Sequence, residues 1–295
     1  MKHLLLIGFV FSALPVLCET DVAHLLELKQ HARLQALDDK LNGVLGVATI
    51  DLTSGRIFVY NGDAVFPTAS SIKIAIMIEL FRQERAGKFH FSDPVTLGPS
   101  DDVGGSSGPL SQAVKKGPVQ TTVRRLLEEM IVYSDNTATN RCIALAGMDS
   151  VNRLLASFGL RATKLRRKMM DTAASARGDE NVSTPLELAK LVEMLYRGTA
   201  ADAASCREML DIMKRVTADM REAIPPGIAI ASKPGDLPGV ACEAGLVYLP
   251  GRPFVVNVMS TYVNESSTAV GDATKIVFEY FEKLAHSNRY GRRLN

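Results

Sequence analysis

The chain has no tryptophan and only four cysteines among its 295 residues. Metal sites built on cysteine normally contain close pairs such as Cys-x-x-Cys, and since no such pair occurs, no metal site is indicated. Lysine and arginine (34) nearly balance aspartate and glutamate (32) along the chain, which gives no indication of a nucleic-acid partner. Beyond the first eighteen residues no apolar run is long enough to span a bilayer, so no stable membrane span is expected.

The first eighteen residues are typical of a secretory signal peptide. A short basic start, Met1 to His3, precedes an apolar run from Leu4 to Leu17 that is interrupted by Pro15. We therefore expect cleavage near Cys18 and a periplasmic or secreted protein. Acylation of Cys18, as in a lipoprotein, is the less favoured alternative because such sites require a small residue where Leu17 stands.

Three cysteines, Cys142, Cys206 and Cys242, remain after this segment. An exported protein could form one disulfide from them, and three buried thiols are an equal alternative.

Residues 19–295 suit one domain of two packed lobes. Hydrophobic spacing predicts strands near both ends of the chain and helices between them. The predicted strands cover 44–50, 57–60, 228–232, 241–249 and 254–263, and the predicted helices cover 21–41, 71–86, 120–132, 137–146, 149–158, 185–197, 203–218 and 269–284. We predict an α+β fold in which both chain ends build one antiparallel sheet flanked by helices (residues 19–68 and 220–295), with an inserted all-α lobe (residues 69–219).

Ser70 and Lys73 stand at the opening of the predicted helix 71–86. Residues three positions apart share a helical face, so the two side chains can meet. This helix is apolar nearly all round, which predicts burial, and burial lowers the pKa of a lysine and makes it a base. The helix start also favours developing negative charge. A serine cap followed by a lysine that reaches the surface would explain the same pattern, so the motif needs support elsewhere.

Two further motifs give that support. Ser134-Asp135-Asn136 lies between two predicted helices, and Lys233-Pro234-Gly235 ends a predicted strand. Taken singly, the first is a helix cap and the second a turn. In this order the three motifs resemble those of the class A β-lactamase and penicillin-binding serine hydrolases, Ser-x-x-Lys, Ser-Asp-Asn and Lys-Thr-Gly. The resemblance runs from about Gly46 to the last helix and includes Phe66-Pro67, residues 105–110 and Thr184-Pro185.

The resemblance implies an acyl-enzyme mechanism without metal or organic cofactor. Ser70 would attack a carbonyl carbon, Lys73 would take or relay its proton, and Ser134 would pass a proton to the departing nitrogen.

The resemblance also implies how the substrate is held. Asn136 would bind the substrate's side-chain amide, while Lys233 would hold Ser134 and attract a substrate carboxylate. Gly235 and Asp236 would line the same site, with the backbone N–H groups of Ser70 and Asp236 forming the oxyanion hole.

The chain departs from the family pattern at the step after acylation. Class A β-lactamases carry a Glu-x-x-Leu-Asn segment whose glutamate drives water onto the acyl-enzyme, and the loop 165–185 has no matching glutamate. Asp171 is the nearest candidate acid. Asn181 stands near the position at which many relatives have the aspartate that pins this loop. Pro234 replaces the usual threonine, which removes a hydroxyl, and Asp236 adds negative charge.

These observations predict an exported, monomeric serine hydrolase that opens β-lactams with weak deacylation. One alternative is a penicillin-binding D-alanyl-D-alanine peptidase acting on peptidoglycan peptides. Another is a non-enzymatic β-lactam or peptidoglycan sensor on the same fold.

Overall fold

The computed structural model describes residues 22–105, 108–264 and 267–294. The predicted signal peptide and Cys18 lie outside the described residues. The helices are α1 Val22–Asp38, α2 Lys73–Arg85, α3 Pro109–Val114, α4 Val123–Val132, α5 Asn136–Ala146, α6 Met148–Ser157, α7 Thr172–Ala176, α8 Pro185–Arg197, α9 Ala203–Met213, α10 Asp219–Ala223 and α11 Ala269–Ala285. The strands are β1 Val44–Asp51, β2 Ile57–Tyr60, β3 Phe66–Pro67, β4 Pro94–Leu97, β5 Val119–Thr122, β6 Val182–Ser183, β7 Ile230–Leu237, β8 Val240–Val247 and β9 Phe254–Thr261.

Strands from both ends of the chain form one antiparallel sheet in the order β2-β1-β9-β8-β7. The first strand of the chain therefore lies beside the last, with Thr49 opposite Val256. Both of these strands are rich in valine and are buried along almost their whole length, as suits strands covered on both faces. The predicted fold class is confirmed, and β7 forms one edge of the sheet. The inserted lobe is not all-α as predicted, since it also contains the short strands β4, β5 and β6.

A separate hydrophobic core lies on each face of the sheet. Alternate residues of β1 point to opposite cores, since Val47 packs with the helices of the chain ends and Ile50 packs with the inserted helices. In the first core Phe254 of the sheet stacks on Phe281 of α11, with ring centroids 4.1 Å apart. The sheet is thus the middle layer of the molecule.

Helix α2 passes through the second core. Ten of its thirteen residues are buried, as its apolar sequence predicts. A 3₁₀ turn, Ala69–Ile72, leads into it from the sheet. Lys73, the first residue of the helix, is therefore fully buried.

Two predicted helices differ from the structure. The segment predicted as a helix over 120–132 begins as strand β5, whose β-branched residues pair with β4, and the helix starts only after Thr122 accepts the Arg125 N–H as its cap. The segment predicted over 203–218 ends at Met213, and a separate short helix, α10, begins after Ala218, whose backbone is extended (φ −161°). Within the described residues, no helix combines the length and apolar character needed to cross a membrane.

Candidate active site

Ser70 lies in the 3₁₀ turn at the place where the chain passes from the sheet into α2. Strand β7 packs directly on this turn through Gly235. A Cβ atom at Gly235 would lie 2.6 Å from the Ser70 backbone nitrogen and 2.7 Å from the Thr68 carbonyl oxygen. Only glycine allows this approach, so residue 235 brings the sheet edge against Ser70.

Lys73 contacts both other motif residues of the helical lobe. Its Nζ donates to the Ser134 Oγ at 3.0 Å, to the Ser134 carbonyl oxygen at 2.8 Å and to the Asn136 Oδ1 at 3.1 Å. Burial lowers the pKa of Lys73 well below its usual value, and the positive charge of Lys233 lowers it further. The predicted buried lysine is therefore present, with its ammonium group destabilised.

Ser134 lies between the two buried lysines. Its Oγ accepts from the Lys233 Nζ at 3.1 Å as well as from Lys73. Its backbone has φ +55°, an uncommon conformation for a residue with a side chain. Such strain is often found at functional sites.

The capping function in this motif belongs to Asp135 rather than to its neighbours. One carboxylate oxygen accepts the Ala138 N–H at 2.8 Å at the start of α5. The other accepts the Ser111 hydroxyl at 2.6 Å and the Ser111 N–H at 3.0 Å. Asn136 instead bridges from Lys73 to the Gly105 carbonyl oxygen, to which its Nδ2 donates at 2.9 Å. The cap and the lysine contacts therefore coexist in one tripeptide.

Pro234 shows which side of β7 faces the cavity. The strand pairs with β8 without interruption, and Pro234 lies opposite Glu243. Because proline has no N–H to donate to β8, the backbone nitrogen of residue 234 must point away from β8. Asp236, two residues later, has the same orientation, and its N–H faces the Ser70 side. The Pro234 carbonyl oxygen also faces this way, because it accepts from the Lys233 Nζ at 2.9 Å.

The charges of two carboxyl groups act on Lys233. Glu243, which lies opposite Pro234 on β8, is buried, and burial raises the pKa of this carboxyl to about 7, although it accepts from Ser232 Oγ at 2.6 Å. Partial burial and the nearby Asp219 raise the pKa of Asp236. Burial lowers the pKa of Lys233 to about 8, while the charges of Glu243 and Asp236 oppose that shift.

The three described cysteines are free and buried, so the thiol alternative holds for them. Cys242 lies under the site. Its Sγ is within hydrogen-bond distance of the Thr68 carbonyl oxygen (3.0 Å) and the Gly235 carbonyl oxygen (3.2 Å). The thiol thus links the Ser70 turn to β7, a contact that the sequence alone did not indicate.

An ion pair that the sequence did not indicate fixes the loop 165–185. Arg167 donates from Nε and Nη2 to one carboxylate oxygen of Glu180, at 3.1 and 2.9 Å. Asn181 adds backbone contacts, since its Oδ1 accepts the N–H groups of Arg166 (2.7 Å) and Arg167 (3.0 Å). The carboxylate that pins the loop is therefore that of Glu180, and the neighbouring Asn181 contributes uncharged contacts.

Asp171, predicted as the acid that activates water, has a different role in the structure. Its side chain is exposed and caps α7 by accepting the Ala174 N–H at 2.9 Å. It is not among the residues that line the cavity beside Ser70. The structure therefore corrects this expectation, because the carboxylate is turned toward the helix backbone.

Met169 faces the cavity instead, and it is only 8% exposed. The Asn140 side chain accepts the Met169 N–H at Oδ1 (2.8 Å) and donates from Nδ2 to the Met169 carbonyl oxygen (3.0 Å). This segment of the loop therefore presents a thioether, not a carboxylate, to the cavity.

A cavity of about 760 Å³ joins these parts. It is lined by Ser70, Ser134 and Asn136, by Gly235 and Asp236 of β7, and by Arg167, Met169, Met170 and Glu180 of the loop. Lys73 and Lys233 lie behind this surface and reach it through Ser134. In the described part of the chain no group of three His, Cys, Asp or Glu side chains could hold a metal ion.

This arrangement, a serine on a tight turn against the sheet edge and a second serine that contacts two buried lysines, fits the site that the resemblance to class A serine hydrolases implies. A sequence profile described as the β-lactamase enzyme family matches residues 29–281, and the chain belongs to this family. Among curated relatives, β-lactamase Toho-1 of Escherichia coli is 27% identical over 231 residues, covering 77% of this chain and 78% of its own. Beta-lactamase 3 of Bacillus cereus is 25% identical over 264 residues, covering 86% and 82%.

Solved structures show the same similarity. A β-lactamase from Sphaerobacter thermophilus is 31% identical with a TM-score of 0.77, and the match covers 86% of this chain and 97% of that one. PBP-A is 28% identical with a TM-score of 0.78, covering 86% and 96%. A point mutant of PBP-A was solved as an acyl-enzyme complex with penicillin G and matches with 28% identity and a TM-score of 0.77, covering 86% and 96%.

Proposed function

We propose that this protein is an exported serine hydrolase that opens β-lactams by forming an acyl-enzyme on Ser70 and releases the product slowly. The observation that carries this proposal is the contact of one hydroxyl, Ser134 Oγ, with both buried lysines, at 3.0 and 3.1 Å. Export follows from the predicted signal peptide over 1–18, which precedes the described fold.

In the first step Lys73 acts as a base in its neutral form. Burial and the charge of Lys233 favour that form. The amine takes the proton of Ser70 Oγ as the oxygen bonds to the lactam carbonyl carbon. The carbonyl oxygen becomes an oxyanion, for which the N–H groups of Ser70 and Asp236 are the donors.

In the second step the lactam C–N bond breaks and the nitrogen needs a proton. Ser134 Oγ gives its own proton to the nitrogen and receives one from Lys73 across the 3.0 Å contact. Lys73 returns to its neutral form, so the protons balance over acylation. Lys233 keeps Ser134 in place and attracts the substrate carboxylate, and Asn136 binds the side-chain amide.

Slow release is supported by the residues around the acyl position. Hydrolysis needs a water and a base on the loop side of the cavity, where Met169 lies. Glu180 also lines the cavity, but its carboxylate is occupied by Arg167 and by the Ser175 hydroxyl. Both carboxylate oxygens of Glu180 are thus held by partners within the loop, so Glu180 does not replace the missing glutamate.

A peptidase acting on D-alanyl-D-alanine peptides is the second candidate. Similarity to PBP-A and the apolar Met169 both favour it, since an enzyme without a strong water-activating base would be held acylated by β-lactams. A binder without turnover would share this behaviour and differ in cleaving no peptide.

Purified protein from Glu19 onward, which contains every described residue, tests these readings. A chromogenic cephalosporin measures turnover, intact mass after penicillin measures the adduct, and released D-alanine measures peptidase activity. We expect a Ser70 adduct that forms quickly, decays slowly and is absent in Ser70→Ala. A long-lived adduct with D-alanine release would favour the peptidase, and a folded protein with neither adduct nor turnover would contradict the proposal.

A further inference from the structure

Helix α1 carries an apolar stripe on its outer side. Val22, Leu25 and Leu28 are spaced by three residues, so they follow one another along one face. Their exposed fractions are 44, 48 and 52%. The opposite face packs on the sheet through Leu34, which is fully buried. The helix is therefore apolar on two sides, and only one of them is used by the core.

An ordered, exposed hairpin follows α11 at the other end of the chain. Ser287 pairs with Arg293, and the Asn288 Oδ1 accepts the N–H groups of Tyr290 (3.0 Å) and Arg292 (3.1 Å). Tyr290 is 68% exposed at its tip. These contacts hold an aromatic ring out toward solvent rather than into the core.

This hairpin is strongly cationic. Residues 287–294 contain Arg289, Arg292 and Arg293 and no aspartate or glutamate. Across the ranges that the structure describes, these arginines form no ion pair, and the Arg289 guanidinium lies 4.6 Å from the centre of the Tyr290 ring. Their charge is available to an anionic partner.

The stripe meets the hairpin at its first residue. Val22 lines the same cleft as Arg289 and Tyr290. We propose that this terminal patch, made of Val22, Leu25, Leu28, Arg289, Tyr290, Arg292 and Arg293, binds the surface of an anionic phospholipid bilayer. Leucines enter the boundary of the acyl chains, tyrosine lies at the headgroup level, and the arginines pair with lipid phosphates.

A lipid surface suits the patch because it offers negative charge and an apolar layer over one flat area. The inference goes beyond the proposed hydrolase activity, since none of the patch residues lines the Ser70 cavity. The patch also begins four residues after the predicted signal peptide, which places it next to the membrane during the proposed export.

Vesicle sedimentation tests the proposal with the protein from Glu19 onward. We expect binding to vesicles of phosphatidylcholine with 30% phosphatidylglycerol and none to pure phosphatidylcholine, with a loss in 0.5 M NaCl. Each basic side chain near an anionic surface strengthens binding about fivefold, so Arg289→Ser, Arg292→Ser and Arg293→Ser together should weaken it about a hundredfold.

A matched control removes the same charge elsewhere through Arg141→Ser, Arg153→Ser and Arg161→Ser, all exposed on the helical lobe. A second variant, Leu25→Ser with Leu28→Ser, should weaken binding while leaving the penicillin adduct on Ser70 unchanged. Equal loss in the control, or equal binding to both vesicles, would overturn the proposal. So would a concentration-dependent dimer that only the arginine variant loses, since the patch would then join two copies of the chain.

Discussion

Met169 combines a cavity-facing side chain with a backbone that Asn140 holds at both its N–H and its carbonyl oxygen. A carboxylate placed here would face the acyl group from a fixed position. We expect Met169→Glu to speed decay of the penicillin adduct by about 100-fold, the contribution usual for a positioned general base. Adduct decay followed by intact mass measures the effect.

Met170→Glu is the matched control for this change. Met170 also lines the cavity, but it is 44% exposed and lies in a left-handed backbone conformation (φ +62°). The same charge one residue away should leave adduct decay within a few fold of the unmodified protein. Similar acceleration by both variants would mean that general electrostatics, not position, governs deacylation.

Lys233 sets the expected pH dependence on the alkaline side. Burial lowers its pKa to about 8, so the cation is present below pH 8 and lost above it. The acylation rate with a carboxylate-bearing β-lactam should therefore fall as pH rises through about 8. Glu243→Gln removes a negative charge that supports the cation, so the decline should move to lower pH.

Stopped-flow acylation between pH 6 and 9.5 measures this shift. The methyl ester of the same β-lactam is the control, because without a carboxylate it should lose most of the alkaline decline. An identical decline in the Glu243→Gln variant would show that another group controls it.

The ion pair between Arg167 and Glu180 fixes the loop 165–185. Arg167 is only 8% exposed, so loss of its partner leaves a largely buried charge uncompensated. We expect Glu180→Gln to lower the free energy of unfolding by about 1–3 kcal/mol. Urea denaturation measures this change.

Glu193→Gln provides the comparison within the same lobe. This substitution breaks the ion pair with Arg197 on α8, an arginine that is 43% exposed. Such surface pairs contribute about 0.5 kcal/mol or less to the free energy of unfolding. Equal losses in the two variants would mean that the loop pair acts as an ordinary surface contact.

The same loop shows where sequence reasoning ends. Helical spacing and buried strands identify α2 and the sheet because each pattern is local. Asp171 was misassigned because its carboxylate can cap a helix of five residues, which has too few residues to show a period. Asn140 and Cys242 went unnoticed because their partners lie 29 and 174 residues away. Ser70, Lys73, Ser134 and Lys233 were predicted through motif order, but the contacts of Lys73 and Lys233 with Ser134 become visible only in the fold.

At the scale of the whole molecule, the cavity lies where the sheet edge meets the helical lobe. Strand β7 is fixed by its pairing with β8, and the Ser70 turn is fixed by α2 in the second core. Neither side can move alone, because both belong to closely packed layers. The distance between Gly235 and Ser70 is therefore a property of how the two layers pack.

Gly235→Ala tests this directly. A methyl group 2.6 Å from the Ser70 nitrogen must push the sheet edge and the turn apart. We expect at least a hundredfold slower acylation, since a shift near 1 Å at a reacting group has that effect. Gly98→Ala is the control, because its new Cβ would meet only the Ser100 hydroxyl at 4.0 Å. Stopped-flow kinetics measures the acylation rate of both variants, and thermal unfolding measures their stability. A Gly235→Ala protein that is destabilised but acylates at the normal rate would show that the two layers can separate without disturbing Ser70.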